Sequence, residues 1–251
     1  MDKFRIIVIA LVALIGISGS AYADVALFQP DDFVGLTFWL ISIACLATTV
    51  FLFLERGSVL SKWTASVTVA GIITGVAFMH SMYVRNIWVV TGDASIVYRY
   101  VDWLITMPLL TIQFYLVLSA VKKVSPILFW KFLIAPLAMV LGCYAGEAGY
   151  ISSFLGFVIW MVGWIYILYE IFPGEAGRLC AKSTNDDLVT AFGKMRMIVT
   201  IGWTIYPLGY VFGYLTGGID SNTLNVIYNL ADFINKIAFG LIIWVAARSQ
   251  Y

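Results

Sequence analysis

Charge is scarce in this chain. Of 251 residues only 12% are Asp, Glu, Lys or Arg, against 62% hydrophobic, and the mean hydropathy is +0.94. A water-soluble domain of this length needs far more charged surface, so the composition excludes one. An excess of one sign is lacking too. The formal net charge is +1, which gives no electrostatic reason to expect a nucleic-acid partner. Cys45, Cys143 and Cys180 are the only cysteines. Odd in number, dispersed and without ligand spacing, they argue against a disulfide framework or a zinc site and read as packing residues. Internal repeats and low-complexity tracts are absent, so one folded domain is expected.

What the chain has instead is long apolar runs. The first stands apart: Lys3 and Arg5 precede Ile6 to Ile15, and Ala21-Tyr22-Ala23 forms a small-x-small pattern before Asp24. This reads as a secretory signal peptide over residues 1–23. An extra membrane helix is the alternative, but the apolar core is short for a span of about 20 residues. Residues 24–251 then hold seven further runs, predicting helices at Phe33–Leu54, Trp63–Tyr83, Ser95–Ala120, Ile127–Tyr144, Ile151–Phe172, Leu188–Leu215 and Leu224–Ala247. The expected fold is all-α, a seven-transmembrane-helix bundle.

Basic residues set the expected orientation. Arg56, Lys62, Lys122, Lys123, Arg178, Lys182 and Arg248 fall on one side, while the alternate connectors carry only Arg85. Positive charge marks the cytoplasmic side. The N-terminus is therefore expected outside and the C-terminus inside, as a secretory signal also requires.

Five ionisable residues lie deep in these spans: His80, Arg99, Asp102, Asp232 and Lys236. Such groups are costly in a membrane and mark function by default. Asp232 and Lys236 are four apart, Arg99 and Asp102 three apart, so each pair shares a helix face. If the third and seventh helices meet, two carboxylates and two cations compensate one another. A structural ion-pair network that fixes helix packing is the competing explanation, although desolvation offsets much of the attraction in such pairs. A desolvated lysine suits Schiff-base chemistry, and the carboxylates would stabilise the protonated product. Trp103, Trp164, Trp203, Tyr206 and Pro207 stand on the third, fifth and sixth spans. Aromatic residues in membrane helices are ordinarily packing or interface anchors. Beside the lysine they would suit a long conjugated ligand.

The third-helix segment Arg99-Tyr100-Val101-Asp102-Trp103-Leu104 through Pro108-Leu109-Leu110 resembles that of the proteorhodopsins, which are microbial rhodopsins. So do Gly202-Trp203 through Tyr206-Pro207, and Tyr228-Asn229-Leu230-Ala231-Asp232-Phe233 through Asn235-Lys236. Gly146-Glu147-Ala148-Gly149 and Phe78 through His80 add to the likeness. The resemblance implies all-trans retinal on Lys236, Asp102 as primary counterion and proton acceptor, Asp232 as second counterion and Arg99 as exit gate. It implies that His80 partners the acceptor, and that Trp103, Trp203 and Tyr206 wall the retinal pocket. Leu110 matches the spectral tuning position, with leucine marking green-absorbing members. Glu147 matches a position near the ring end of retinal, with a structural or solvent-facing role as the equal alternative. The resemblance further implies a light-driven ion transporter rather than an enzyme, with no metal, in a bacterial inner membrane. His80 and Trp39 would then lie at a protomer interface of a homo-oligomer, a pentamer or hexamer. Thr106, one turn inward from Asp102, is expected to hydrogen-bond it.

The chain departs from the pattern at Gln113, eleven residues beyond Asp102, where proton-pumping relatives carry a carboxylic acid as cytoplasmic donor. Eleven residues are three helical turns, about 16 Å, so the side chain points along the same pathway. Glutamine cannot supply a proton. Three readings follow: an outward proton pump with slow reprotonation, a sensor with a prolonged signalling state, or a pump for another ion. Sodium and chloride pumps also have glutamine here but replace the acceptor aspartate. Retention of Asp102 and Thr106 therefore favours protons, and only the sensor needs a transducer partner. Met79 stands where relatives often have tryptophan. Phe157 fills the place of a glycine opening, so no carotenoid antenna is expected.

Overall fold

A computed structural model of the chain describes Gln29 and residues 31–250. The expected signal peptide at residues 1–23 lies outside the described residues. Among the described residues, seven helices are long and apolar enough to cross a membrane: α1 (Phe33–Glu55), α2 (Ser61–Thr91), α3 (Ile96–Ser119), α4 (Pro126–Glu147), α5 (Ser153–Ala181), α6 (Asp186–Leu215) and α7 (Ser221–Arg248). Among the described residues there is no β-strand. The fold is the expected seven-helix bundle, and its outer surface is a membrane surface. Val101, Ile105, Ile134, Leu141, Phe154, Val162 and Ile165 all face outward, an apolar covering that water would not tolerate. Lipid is the solvent this surface requires.

Local sequence sets the helix starts. Ser125, Ser152, Asn185 and Asp220 each accept a hydrogen bond from a backbone N–H of the helix they precede, satisfying donors that have no partner inside the helix. Pro126 follows Ser125 in the first turn, where its missing N–H costs nothing. Two predicted boundaries move. The second helix runs eight residues past Tyr83 and ends at Gly92, which adopts a left-handed φ of 69°. Arg85 and Asn86 therefore lie on the helix rather than in a connector; Arg85 stacks over Trp39 at 5.0 Å. The connector expected after Phe172 contains a short helix, Glu175–Ala181.

Consecutive helices pack side by side, and α7 also touches α1, α2 and α6, closing the bundle. Two irregularities shape its centre. In α6 the α-helix gives way at Gly202–Thr204 to a 3₁₀ turn just before Pro207, followed by a π-helical turn at Val211–Leu215. In α7 a π-helical turn spans Phe233–Ala238. The two helices approach closely where a Cβ on Gly202 would collide with the Asn235 side chain. Asn235 donates to the Gly202 carbonyl at 3.1 Å. Without the glycine this contact could not form.

Toward the end of the bundle where α3 finishes and α6 begins, Phe114 packs against Phe132, Phe192 and Phe239, with centroids 4.9–5.9 Å apart. All four rings are buried.

Candidate functional site

The bundle brings together four of the five ionisable residues that the sequence singles out. Arg99 and Asp102 come from α3, Asp232 and Lys236 from α7, and each is at most 2% exposed. The Lys236 Nζ donates to Asp102 Oδ2 in a short contact and to Asp232 Oδ2 at 3.2 Å. Arg99 Nη1 lies 3.8 Å from Asp232 Oδ2. Two cations and two anions thus cancel inside a low-dielectric core, the condition under which such charges are tolerated. Lys236 is the only buried lysine among the described residues. It sits within the π-helical turn, an irregularity that frequently accompanies function.

Side chains missed by the sequence argument complete the cluster. Arg99 Nη2 donates to Asn229 Oδ1 at 2.7 Å, to Asn225 Oδ1 at 2.9 Å and to the Asn225 carbonyl at 3.1 Å. Asn225 donates to the Ala94 carbonyl, and Asn229 to Thr37 Oγ1 on α1. The signal for these asparagines was present: Asn225, Asn229, Asp232 and Lys236 follow one another at four, three and four residues, a single helical stripe. Tyr206 on α6 donates to Asp232 Oδ1 at 2.6 Å and receives a bond from Asn235 at 3.2 Å. Asp232 is therefore fully engaged, whereas Asp102 Oδ1 has no hydrogen-bond partner among the described residues.

His80 stands apart from this network. Its Nε2 lies 3.1 Å from the Tyr98 carbonyl rather than bonding Asp102. Both residues nevertheless line one cavity of about 500 Å³ between α2 and α3, with Gly75, Met79 and Val101. Thr106 also differs in detail from expectation. Its hydroxyl donates to the backbone carbonyl of Asp102 at 3.0 Å and makes no bond to the carboxylate, the i−4 back-bond usual for a helical threonine.

Aromatic rings form the wall beside the lysine. Trp103 meets Tyr206 at 5.3 Å, Tyr228 at 5.6 Å and Trp160 at 5.9 Å, all edge to face. Trp160 is the tryptophan of α5 that packs on Trp103. Trp164, the one expected from sequence, lies a turn further along and donates to the Val199 carbonyl of α6 at 2.9 Å. Trp203, Pro207 and Leu110 are buried. The indole N–H groups of Trp103 and Trp203 have no partner among the described residues. Glu147 at the end of α4 accepts from Tyr100 Oη at 2.5 Å and from Tyr214 Oη in a short contact. Gln113 lies on the opposite side of the lysine, fully buried next to Phe114, with Nε2 donating to the Ser66 carbonyl at 2.9 Å.

This arrangement holds a shielded amine between two carboxylates, one saturated with hydrogen bonds and one with an open oxygen. It can stabilise a cation on the lysine nitrogen and offer that nitrogen a proton acceptor.

The chain is similar to known proteins over this whole region. The family model described as "Bacteriorhodopsin-like protein" matches residues 32–250. A blue-light absorbing proteorhodopsin of Gamma-proteobacterium Hot 75m4 is 47% identical over 222 residues, covering 88% of each chain. A green-light absorbing proteorhodopsin of Gamma-proteobacterium EBAC31A08 is 48% identical over 221 residues, with the same coverage of both chains. The solved structure of a blue light-absorbing proteorhodopsin from Med12 superposes with a TM-score of 0.76 at 46% identity, over 88% of this chain and all of that one. The bundle, its buried charges and these likenesses together place the chain in the bacteriorhodopsin-like protein family.

Proposed function

We propose that this chain is a light-driven outward proton pump that carries retinal, all-trans in the dark, as a Schiff base on Lys236. The observation that carries the reading is the burial of the Lys236 amine between Asp102 and Asp232 beside an aromatic wall. An amine so shielded suits attack on an aldehyde, and the flanking carboxylates suit the cation that results. Likeness to proteorhodopsins supports the same cofactor. The unpartnered indole N–H groups of Trp103 and Trp203 also fit walls built for a bound group. Retinal supplies the light absorption and, on isomerising, the displacement of a cationic N–H.

The chain's own residues do the rest. Asp102 balances the cation and takes up the proton, its free Oδ1 being the open acceptor. Asp232, held by Tyr206, stays ionised as second counterion. Arg99 sits outward of both and moves toward whichever carboxylate is charged, which makes it the exit gate. His80 acts on Asp102 through the cavity they share, and Thr106 steadies the backbone that carries Asp102. Trp103, Leu110, Trp164, Trp203, Tyr206 and Pro207 enclose the chromophore, and leucine at position 110 suits green absorption. Gln113 cannot donate, so refilling from the inner side is slow. The mature domain is residues 24–251, with its N-terminus outside a bacterial inner membrane and its C-terminus in the cytoplasm. It is a homo-oligomer, pentamer or hexamer, with the His80 face at the interface.

A second reading, a sensor acting on a transducer, is favoured by Gln113 alone, because a slow cycle prolongs a signalling state. Illumination of retinal-supplied cells with external pH recording separates the readings. Proton export gives acidification that a protonophore abolishes. Alkalinisation enhanced by a protonophore identifies transport of another ion. A coloured pigment without any pH change identifies the sensor.

A further inference from the structure

Gln113 cannot supply a proton, yet two polar atoms beside its one hydrogen bond are left unused. Gln113 Nε2 donates to the Ser66 carbonyl of α2 at 2.9 Å. Gln113 Oε1 and the Ser66 hydroxyl have no partner among the described residues, although both residues are at most 1% exposed. The serine is the more telling of the two. On α1 Ser42, Thr48 and Thr49 each donate to a carbonyl one turn back at 2.7–2.8 Å, the usual resort of a buried helical hydroxyl. Ser66 makes no such bond. Buried polar atoms left over in this way point to an ordered water or a function. A buried water needs roughly two to four polar partners; Ser66 offers a donor and Gln113 an acceptor.

We infer that Ser66 and Gln113 together hold a water that relays protons to the Lys236 nitrogen, which makes Ser66 a positioning residue for refilling. The inference deepens the retinal reading of Lys236 and rests on it. Helix register supports the route. A Cβ on Gly240 of α7 would touch Leu52 of α1 and Ala70 of α2, which puts these three at one level. One turn nearer the Arg99 end stand Lys236, Thr49 and Thr74, and the two threonine hydroxyls meet at 2.7 Å. One turn the other way along α2 stands Ser66. The two stations on α2 are thus eight residues apart, about 12 Å. In the transfer, the water gives a proton toward the Lys236 nitrogen and takes one from the Ser66 hydroxyl, which takes one from the aqueous side. Gln113 Oε1 only accepts, and so orients the water. A relay stores no proton, so refilling follows the proton concentration of the aqueous side. The competing role is a mechanical one, in which Gln113 merely ties α3 to α2.

The test is flash photolysis of the full chain reconstituted with all-trans retinal, with infrared spectra of the same samples. Ser66→Ala should slow recovery of the dark spectrum about tenfold, the effect of losing one hydrogen bond in the transfer step. Ser66→Thr keeps a hydroxyl and should recover at close to the unmodified rate. One water stretching band, identified by its shift in heavy-oxygen water, should be present in the unmodified pigment and in S66T and missing from S66A. Gln113→Met removes the other partner and should act likewise. The double variant should be no slower than the slower single one, because both act through one water. An unmodified rate or an intact band in S66A overturns the inference, and so does slow recovery in S66T. If S66A forms no pigment, Q113M is held to the same two criteria. Absence of pigment from the unmodified chain would instead overturn retinal attachment at Lys236.

Discussion

Arg99 on α3 donates to Asn229 on α7 at 2.7 Å, and Asn229 in turn donates to Thr37 on α1 at 2.9 Å. One asparagine thus couples a buried guanidinium to two other helices. Replacing it with leucine leaves Arg99 short of an acceptor while its charge stays buried. Hydrogen bonds to charged groups contribute about 1.5–3 kcal/mol, so Asn229→Leu should lower the thermal stability of the pigment by about that amount. Asn229→Asp, which keeps an acceptor, should lose much less. Bleaching temperature reads both, and an unchanged midpoint in N229L would show that Asn225 alone suffices.

Asp102→Asn removes the acceptor and the nearer counterion together. The variant should still bind retinal, because Lys236 and Asp232 remain. Its band should move to longer wavelength, since the ground-state cation loses its stabilising anion. Light-driven acidification should disappear. Retained acidification in D102N would assign the acceptor role elsewhere.

Gln113→Glu places a carboxylic acid three turns along α3 from Asp102. Positioned general acids typically contribute about 10²–10⁴-fold. Recovery of the dark spectrum after a flash should therefore quicken by about 10²-fold and lose most of its pH dependence. The unmodified chain should recover more slowly as pH rises. The Ser66 carbonyl, which now accepts from Gln113, would repel an ionised glutamate and so helps keep the new acid protonated. Equal rates in the two proteins would mean that a different group refills the site.

Asp220 gives a pH prediction at the N-terminal end of α7. The Thr223 hydroxyl, followed by the Thr223 and Asn222 backbone N–H groups, holds its carboxyl below the ordinary range. A depressed folded-state value means that the cap's contribution is complete above the unfolded value, about 4, and fades as pH falls through the folded one. Hydrogen exchange of the first-turn amides of α7 should therefore accelerate, relative to the intrinsic rate, on acidification below about 4. Asp220→Ala should exchange quickly throughout and show no such transition.

Much of this organisation was legible in the sequence. Seven apolar runs fixed the number of helices, and the spacings Arg99–Asp102 and Asp232–Lys236 brought the four charges into view. Two classes of detail were not legible. The continuation of α2 past Tyr83 was obscured by Arg85 and Asn86, polar residues that the helix accommodates by stacking the guanidinium on Trp39. The partners of His80 and Thr106 depend on rotamers and on the backbone of neighbouring turns, which spacing does not encode. The π-helical turn around Lys236 is likewise invisible to a 3.6-residue period, because one extra residue changes the local phase without changing the composition. Trp160 and Trp164 lie in one apolar run, and only the packing on Trp103 separates them.

The ring of Phe114, Phe132, Phe192 and Phe239 has an electrical consequence. It fills one end of the bundle with apolar groups, while the other end holds Arg99, Asn225, Asn229 and Thr37. A membrane voltage falls mainly across the less polarisable stretch. On the proposed orientation, a proton arriving from the cytoplasm must climb most of the inside-negative potential within that stretch, and a full crossing costs about 2.3 kcal/mol per 100 mV. The step that Gln113 is proposed to slow is thus also the step that voltage opposes, so the pump should throttle itself as the membrane becomes charged.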